Sequence, residues 1–372
     1  MEYKRDDRVV LTLDAGGTKF SFSAMAAGCE IAGPVEYASH GDDLELCLTT
    51  IRNGFREILG QAGGKAAAIS FAFPGPSYYA EGVIGDLGNL PAFRGGIPLG
   101  PMLSAEFSIP VFINNDGDLF ALGEATGGFL PAVNQDLAAA GSTKRYQNLI
   151  GLTLGTGFGG GIVHAGHIFT GDNAAAGEVW LLRNPKYAHA FAEESLSIRA
   201  LRRVYNERGG EGAELTALDV AEIARGKKPG NREAAISAFS ELGEVLGECI
   251  ANIVTVIDGL VVIGGGLANS YDLFSLSMMQ AISRRMQNVQ KSAEVARLEM
   301  TAFDLEDAAA REKFLAGDMR TIAVPGIEKP LQLDMLKRTG IGRTRLGTSH
   351  AVALGAYVFA LRQLSVPLPG SQ

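Results

Sequence analysis

Cysteine is scarce: the 372 residues hold only Cys29, Cys47 and Cys249, far apart and without CxxC spacing. A disulfide scaffold and a zinc site of the usual thiolate kind are therefore not expected. Basic blocks are missing as well. Lys and Arg number 33 against 41 Asp and Glu, a formal net charge of -8, so nucleic-acid binding lacks its electrostatic footprint. No uninterrupted apolar run approaches the roughly 18 residues of a membrane span. The first eight residues are too polar for a signal peptide. A cytoplasmic protein without membrane or nucleic-acid partners is expected. No GxxxxGK[ST] segment occurs, which excludes a P-loop.

Glycine, by contrast, is abundant, with 48 residues in short clusters rather than a repeat. In the densest cluster, Leu149 to Leu154 reads as a buried strand and Gly155-Thr156-Gly157-Phe158-Gly159-Gly160-Gly161 as a turn. A second strand is expected from Ile162. Turns of this kind let backbone N–H groups approach an anion with no Cβ in the way, and phosphate is the usual guest. Gly155-x-Gly157-x-x-Gly160 also fits the dinucleotide fingerprint, but that fingerprint needs a helix next, and Ile162 to His167 reads as strand and turn. Two more strands run into glycines: Val9 to Leu13 into Asp14-Ala15-Gly16-Gly17-Thr18-Lys19, and Leu260 to Ile263 into Gly264-Gly265-Gly266. Two phosphate-holding hairpins and a third glycine turn suggest a nucleotide clamped between two domains.

The length suits two domains. Phe20 to Met25 reads as a strand. Asp42 to Leu59 reads as a helix, with Leu44, Leu48, Ile51, Phe55 and Leu59 at helical spacing and Asp42 with Glu45 as a capping box. Ala67 to Phe73 is a strand that stops at Pro74-Gly75-Pro76. Val111 to Ile113 is another, with Asn114-Asn115-Asp116 at its carboxyl end, where ligands of open α/β sheets gather. A helix is expected from Asp118. Leu130 to Gln147 reads as a surface loop or insertion, Ala234 to Ile257 as a long helix, and Thr301 to Arg320 as a helical insertion. Ser349 reads as the N-cap of a helix over Ala351 to Leu364. His164 and His167, without acidic or cysteine neighbours, read as structural.

In this order the motifs resemble those of the ROK family (repressors, open reading frames, kinases). Asp14 to Lys19 looks like its first phosphate motif, and Phe73 to Pro76 with Gly88-Asn89-Leu90 like its sugar-side loops. Asn115-Asp116-Gly117, followed by Ala121 to Glu124, is similar to its catalytic segment. Gly155 to Gly161 resembles the second phosphate motif, and Ile263 to Gly266 the adenosine motif. The resemblance implies an α/β, two-domain actin-like (ribonuclease-H-like) ATPase fold. Residues 1–125 with 350–372 would form the smaller domain and residues 126–349 the larger.

The implied activity is ATP-dependent phosphorylation of a hexose or amino-sugar hydroxyl with Mg2+. Asp116 would be the general base, and Asn89, Asn115, Glu178 and Glu193 would contact the sugar. Gly16, Gly17, Thr18, Lys19, Gly155, Thr156 and Gly157 would hold the phosphates, and Gly265 and Gly266 the adenosine. Asp14 would orient magnesium through water. A homodimer is expected. A non-catalytic sugar-binding or sensor protein on the same fold is the alternative.

The chain departs from the family's pattern in places. The family often writes Gly-Glu-x-Gly-His where Gly177-Glu178-Val179-Trp180-Leu181 stands here, and the cysteine-rich zinc motif that normally follows is absent. No zinc site is expected. Glu193, the first residue of Glu193-Glu194-Ser195-Leu196-Ser197, aligns with the family's second sugar-contacting glutamate. Repressor members carry a helix-turn-helix arm before their first phosphate motif, and 13 residues precede Asp14, so repressor function is not expected. Trp180 is the sole tryptophan. Because an aromatic face packs on the C–H face of a pyranose, the expectation is that it lines the sugar cleft.

Overall fold

The computed structural model describes residues 2–16, 18–75, 77–88, 90–212 and 214–365. Gly17, Pro76 and Asn89, assigned above to the phosphate and sugar loops, lie outside the described residues. The chain divides into one unit of Met1–Gly128, Gly161–Gly177 and Leu346–Gln372, and another of Phe129–Gly160 and Glu178–Arg345. Gly161–Gly177 thus groups with the first unit, although the sequence pattern places it in the larger domain.

In the first unit, β1 (Val10–Ala15), β2 (Lys19–Ala26) and β3 (Cys29–Ala38) pair antiparallel, while β4 (Ala68–Ala72) and β5 (Val111–Asn114) continue the sheet in parallel. The strand order is β3-β2-β1-β4-β5. The sequence pattern misses β3, an edge strand with mostly exposed side chains that Gly33 and Pro34 interrupt. Helix α1 (Leu44–Gln61) lays Cys47, Ile51, Phe55 and Ile58 against this sheet. Its cap is Asp43 rather than Asp42: the Asp43 side chain accepts the Leu46 N–H at 3.0 Å. Edge-on and tilted rings carry the packing inward, Phe22 on Phe55 at 5.1 Å and Phe55 on Phe71 at 5.6 Å between centroids. Helix α2 (Leu99–Phe107) precedes β5. Helix α3 (Asp116–Thr126) follows β5 at once, starting two residues before the expected Asp118 because Asn115 caps it.

In the second unit, α4 (Phe129–Ala139) replaces the loop expected from residue 130. Pro131 hides the helix from a sequence reading, yet proline is tolerated in a first turn, and Phe129, Leu130, Val133 and Leu137 give it a buried stripe. Strand β6 (Leu149–Leu154) leads into the glycine turn, and β7 (Phe158–His164) leaves it four residues earlier than expected. Phe158 is buried, and the glycines after it stay extended. Because a strand and not a helix follows, the structural context of the dinucleotide fingerprint is absent. The end of β7 and the short β8 (His167–Ile168), which belong to the first unit, form a hairpin.

Three helices follow, α5 (Ile198–Glu207), α6 (Ala217–Ala224) and the 26-residue α7 (Arg232–Ile257). Then come β9 (Leu260–Gly264), α8 (Tyr271–Ile282), the hairpin β10 (Arg285–Gln287) and β11 (Glu294–Ala296), and β12 (Thr301–Asp304). Phe239, Leu242, Leu246, Ile250 and Val254 bury one face of α7. Next are α9 (Ala308–Ala316), the hairpin β13 (Met319–Val324) and β14 (Ile327–Asp334), and β15 (Arg338–Arg343). The main sheet runs β12-β15-β9-β6-β7-β8, parallel from β12 to β6. The segment Thr301 to Arg320 is therefore not one helical insertion: its first four residues are an edge strand, too short to show an alternation. Helix α10 (Thr348–Ser365) returns to the first unit, where it packs on α3, β4 and β1. It begins at Thr348, which puts Ser349 inside the first turn rather than at the cap.

At the base of the β13–β14 hairpin, the side chains of Asp334 and Arg338 are almost wholly buried, with paired contacts of 2.9 and 2.8 Å. Burial alone would raise the Asp334 pKa, but Arg338, the Ser142 hydroxyl and the Asp318 amide outweigh it and hold the carboxyl well below the ordinary range. Removing one member leaves a buried charge without its partner, a change that costs about 3–5 kcal/mol. Asp334→Ala is accordingly expected to lower unfolding stability by that amount in urea denaturation. A loss under about 1 kcal/mol, the range of an exposed pair, contradicts this.

Candidate active site

The first unit gathers its candidate residues at the carboxyl ends of β1 and β5. Asp14 stands near the end of β1, and the Gly16 N–H donates to the Lys19 carbonyl at 3.0 Å to close the hairpin into β2. Thr18 is exposed, and its carbonyl accepts the Ser39 N–H at 3.1 Å. The Lys19 ammonium pairs with Glu36 at 2.6 Å on the exposed faces of β2 and β3. At β5, the Asn115 side chain accepts the Gly117 N–H at 2.8 Å and so caps α3. Asp116 is the first residue of that helix and is exposed, its Oδ1 2.9 Å from the same amide. The Tyr79 hydroxyl donates to the Phe73 carbonyl at 3.1 Å and lies 3.5 Å from Asn115 Nδ2. Tyr79 escapes the sequence reading because only the turn after Phe73 brings it beside Asn115.

Gly161 has a packing reason to be glycine. A Cβ there would lie 2.7 Å from the Asp118 Cα, so the bare backbone of β7 fits against the start of α3.

The second unit holds the other glycine turns. The Gly155 N–H donates to the Gly157 carbonyl at 3.0 Å, which leaves the Thr156 and Gly157 amides outside the turn's own hydrogen bonds. Glu193, not the neighbouring Glu194, reaches this turn: its Oε2 accepts the Phe158 N–H at 3.0 Å. Glu194 pairs instead with Arg199 at 2.7 Å on the surface. Gly265 adopts φ +85°, and a Cβ there would lie 2.6 Å from the Leu154 backbone, so only glycine joins β9 to the 3-10 turn Gly266–Ser270 beside β6. Gly266 is open.

Glu178 accepts a hydrogen bond from the indole N–H of Trp180, whose half-buried ring meets Phe191 edge-on at 5.4 Å. The segment between these glutamates is held by polar side chains. Buried Asn184 donates to Ser195 Oγ at 3.0 Å and accepts the Lys186 N–H at 2.9 Å. Tyr187, Ser195 and Arg208 converge on the buried carboxylate of Glu241 at 3.1, 3.4 and 3.4 Å. Glu241 carries no local sequence signal, because Tyr187, Ser195 and Arg208 stand 54, 46 and 33 positions before it and meet it only through the fold. Among the described residues, no group of three His, Cys, Asp or Glu side chains is placed to hold a metal ion.

The model of the ROK family matches residues 10–311. The chain belongs to the ROK family. It is 30% identical over 302 residues to the N-acetyl-D-glucosamine kinase of Vibrio cholerae, covering 76% of this chain and 92% of that one. It is similar to the crystal structure of a glucokinase from Parabacteroides distasonis, with a TM-score of 0.88 and 48% identity over 97% of this chain and 99% of that one. The ROK family glucokinase of Streptomyces griseus, in complex with glucose and AMPPNP, shares the fold at 18% identity, with a TM-score of 0.62 over 95% and 99% of the two chains. As a ROK protein, the chain has the actin-like ATPase fold.

In this ROK protein the Asp14 carboxylate keeps some contact with solvent while protein atoms crowd around it. That desolvation raises its pKa, and the Lys19 charge and a hydrogen bond from Ser349 pull it part of the way back. Lys19→Met removes the opposing charge, so the Asp14 pKa is expected to rise further. Carboxyl-detected NMR titration reads this directly, and a pKa that stays put or falls in the variant rules out Lys19 as the charge that Asp14 senses.

Proposed function

We propose that this sugar kinase transfers the γ-phosphoryl group of ATP to a hydroxyl of a hexose or amino sugar, with Asp116 as general base, and acts as a cytoplasmic homodimer. The observation that carries the reading is the placement of Asp116, exposed as the first residue of α3 at the carboxyl end of β5, with Asn115 beside it. In the step, the Asp116 carboxylate takes the proton of the acceptor hydroxyl as its oxygen bonds to the γ-phosphorus. The bond from that phosphorus to the β–γ bridging oxygen breaks, and ADP leaves. Phosphoryl transfer asks for little covalent chemistry from the protein, so positioning and charge neutralisation dominate.

Asn115, Glu178 and Glu193 hold the sugar in this reading, and Asn89 is assigned to it by its motif alone. Gly16, Gly17, Thr18, Lys19 and the amides of Gly155, Thr156 and Gly157 hold the phosphates, while Gly265 and Gly266 let the nucleoside lie close to the backbone. The residues fit a magnesium nucleotide: the Asp14 carboxylate is open to solvent, and the 155–157 turn presents amides that it does not itself consume. Magnesium, when bound, would neutralise phosphate charge, and Asp14 is the residue that would help to hold it. Trp180 is assigned to the sugar side. Its hydrogen bond to Glu178 supports that assignment, since one side chain then aims the carboxylate and offers an apolar face.

Asp116→Asn is expected to lower kcat by roughly 10²–10⁴ while sugar binding persists. Trp180 fluorescence during a sugar titration reads that binding in the same variant. Full turnover in Asp116→Asn removes Asp116 as the base, and fluorescence that stays flat while wild-type turnover saturates removes Trp180 from the sugar side.

A further inference from the structure

Glu193 is assigned by its motif to the sugar, yet the hydrogen bond it makes is to the phosphate turn. Its Oε2 accepts the Phe158 N–H at 3.0 Å and lies 2.6 Å from where a Cβ on residue 157 would stand. Five residues on, the Ile198 N–H donates to the Gly155 carbonyl at 2.9 Å. The turn is thus tied at its first and last residues to a single segment, 193–198. Thr156 and Gly157 are carried between the two ties.

That segment is itself rigid. The Ser197 hydroxyl donates to the Glu193 carbonyl at 3.0 Å and accepts the Ala200 N–H at 3.3 Å, which caps α5. Ser195, two residues before Ser197, reaches the buried Glu241. A carboxylate beside an anion-receiving turn repels the anion, and Arg199, 4.0 Å from the Glu193 Oε1, is engaged more closely by Glu194 at 2.7 Å. A charge-assisted bond to the Phe158 amide gives the carboxylate a reason to stand there, since it fixes the turn from behind and leaves the preceding amides to the ligand. Gly157 then has a reason apart from phosphate approach: the space of its missing side chain is filled by the Glu193 carboxylate.

We propose that Glu193 is a positioning residue of the phosphate turn, so that nucleotide affinity depends on a residue of the sugar-side segment. The proposal rests on the nucleotide reading above. It links the two substrates physically, because whatever orients segment 193–198 also sets the turn.

The test measures Mg-AMPPNP binding by calorimetry without sugar, where no turnover occurs. Glu193→Ala and Gly157→Ala are each expected to weaken binding about tenfold, the size of one lost charge-assisted hydrogen bond. Glu193→Gln keeps an oxygen that accepts the Phe158 N–H and is expected to stay within about threefold of wild type. In the double variant Gly157→Ala/Glu193→Ala the two losses are expected not to add, since both break one bond. Wild-type affinity in both single variants, or losses that add in the double, overturns the proposal. Wild-type protein that binds no Mg-AMPPNP overturns the nucleotide reading itself, whereas silent variants on a binding wild type overturn only the role of Glu193. Should Glu193→Ala fail to fold, Gly157→Ala and Glu193→Gln carry the same comparison, because a Cβ at 157 displaces only the far end of a flexible side chain.

Discussion

At Gly265, Gly161 and Gly157 the candidate loops leave no room for a side chain, and they take their shape from these close approaches. At Gly265 the chain turns out of β9 against Leu154 at the end of β6, which brings the third glycine turn beside the strand that feeds the second. At Gly161, β7 lies against the start of α3, the helix that carries Asp116. At Gly157 the space goes to the carboxylate of Glu193. Each close approach fixes a loop by exclusion, since a single added methyl group would have to move a backbone or a carboxylate.

Buried charge performs the complementary task in the second unit. Glu241 sits inside the core-facing surface of α7, and its hydrogen bonds to Tyr187 and Ser195 hold the segment on which Glu193 stands. Asp334 and Arg338 do the same for the β13–β14 hairpin, whose strands are otherwise almost fully exposed. A buried ion tolerates few geometries, because misplacing it forfeits several kcal/mol of pairing at once. Segments held this way keep their shape without a disulfide, and the chain's buried cysteines, Cys47 and Cys249, remain free thiols.

What the sequence reveals follows its periodicity. Helix α7 is legible from the spacing of Phe239, Leu242, Leu246 and Ile250, and β1, β6 and β9 from apolar runs that end in glycine. Strand β3 is hidden by its exposure and by Gly33-Pro34, α4 by Pro131, and β12 by its four-residue length. The same holds at the candidate site. Asp14, Asp116 and Gly155 stand in contiguous motifs, whereas Tyr79, Ser349 and Glu241 meet their partners only through the fold. Local spacing also leaves Glu193 and Glu194 equivalent. Only the folded turn separates them, by giving one a backbone amide and the other a surface arginine.

Transfer of a phosphoryl group from ATP to a sugar is read most directly by a coupled assay of ADP release with Mg-ATP across a panel of hexoses and N-acetylated hexosamines. ADP release is expected to depend on, and saturate with, at least one sugar of the panel. Sugar binding with no ADP formed from any of them contradicts it and leaves a sensor on the same fold.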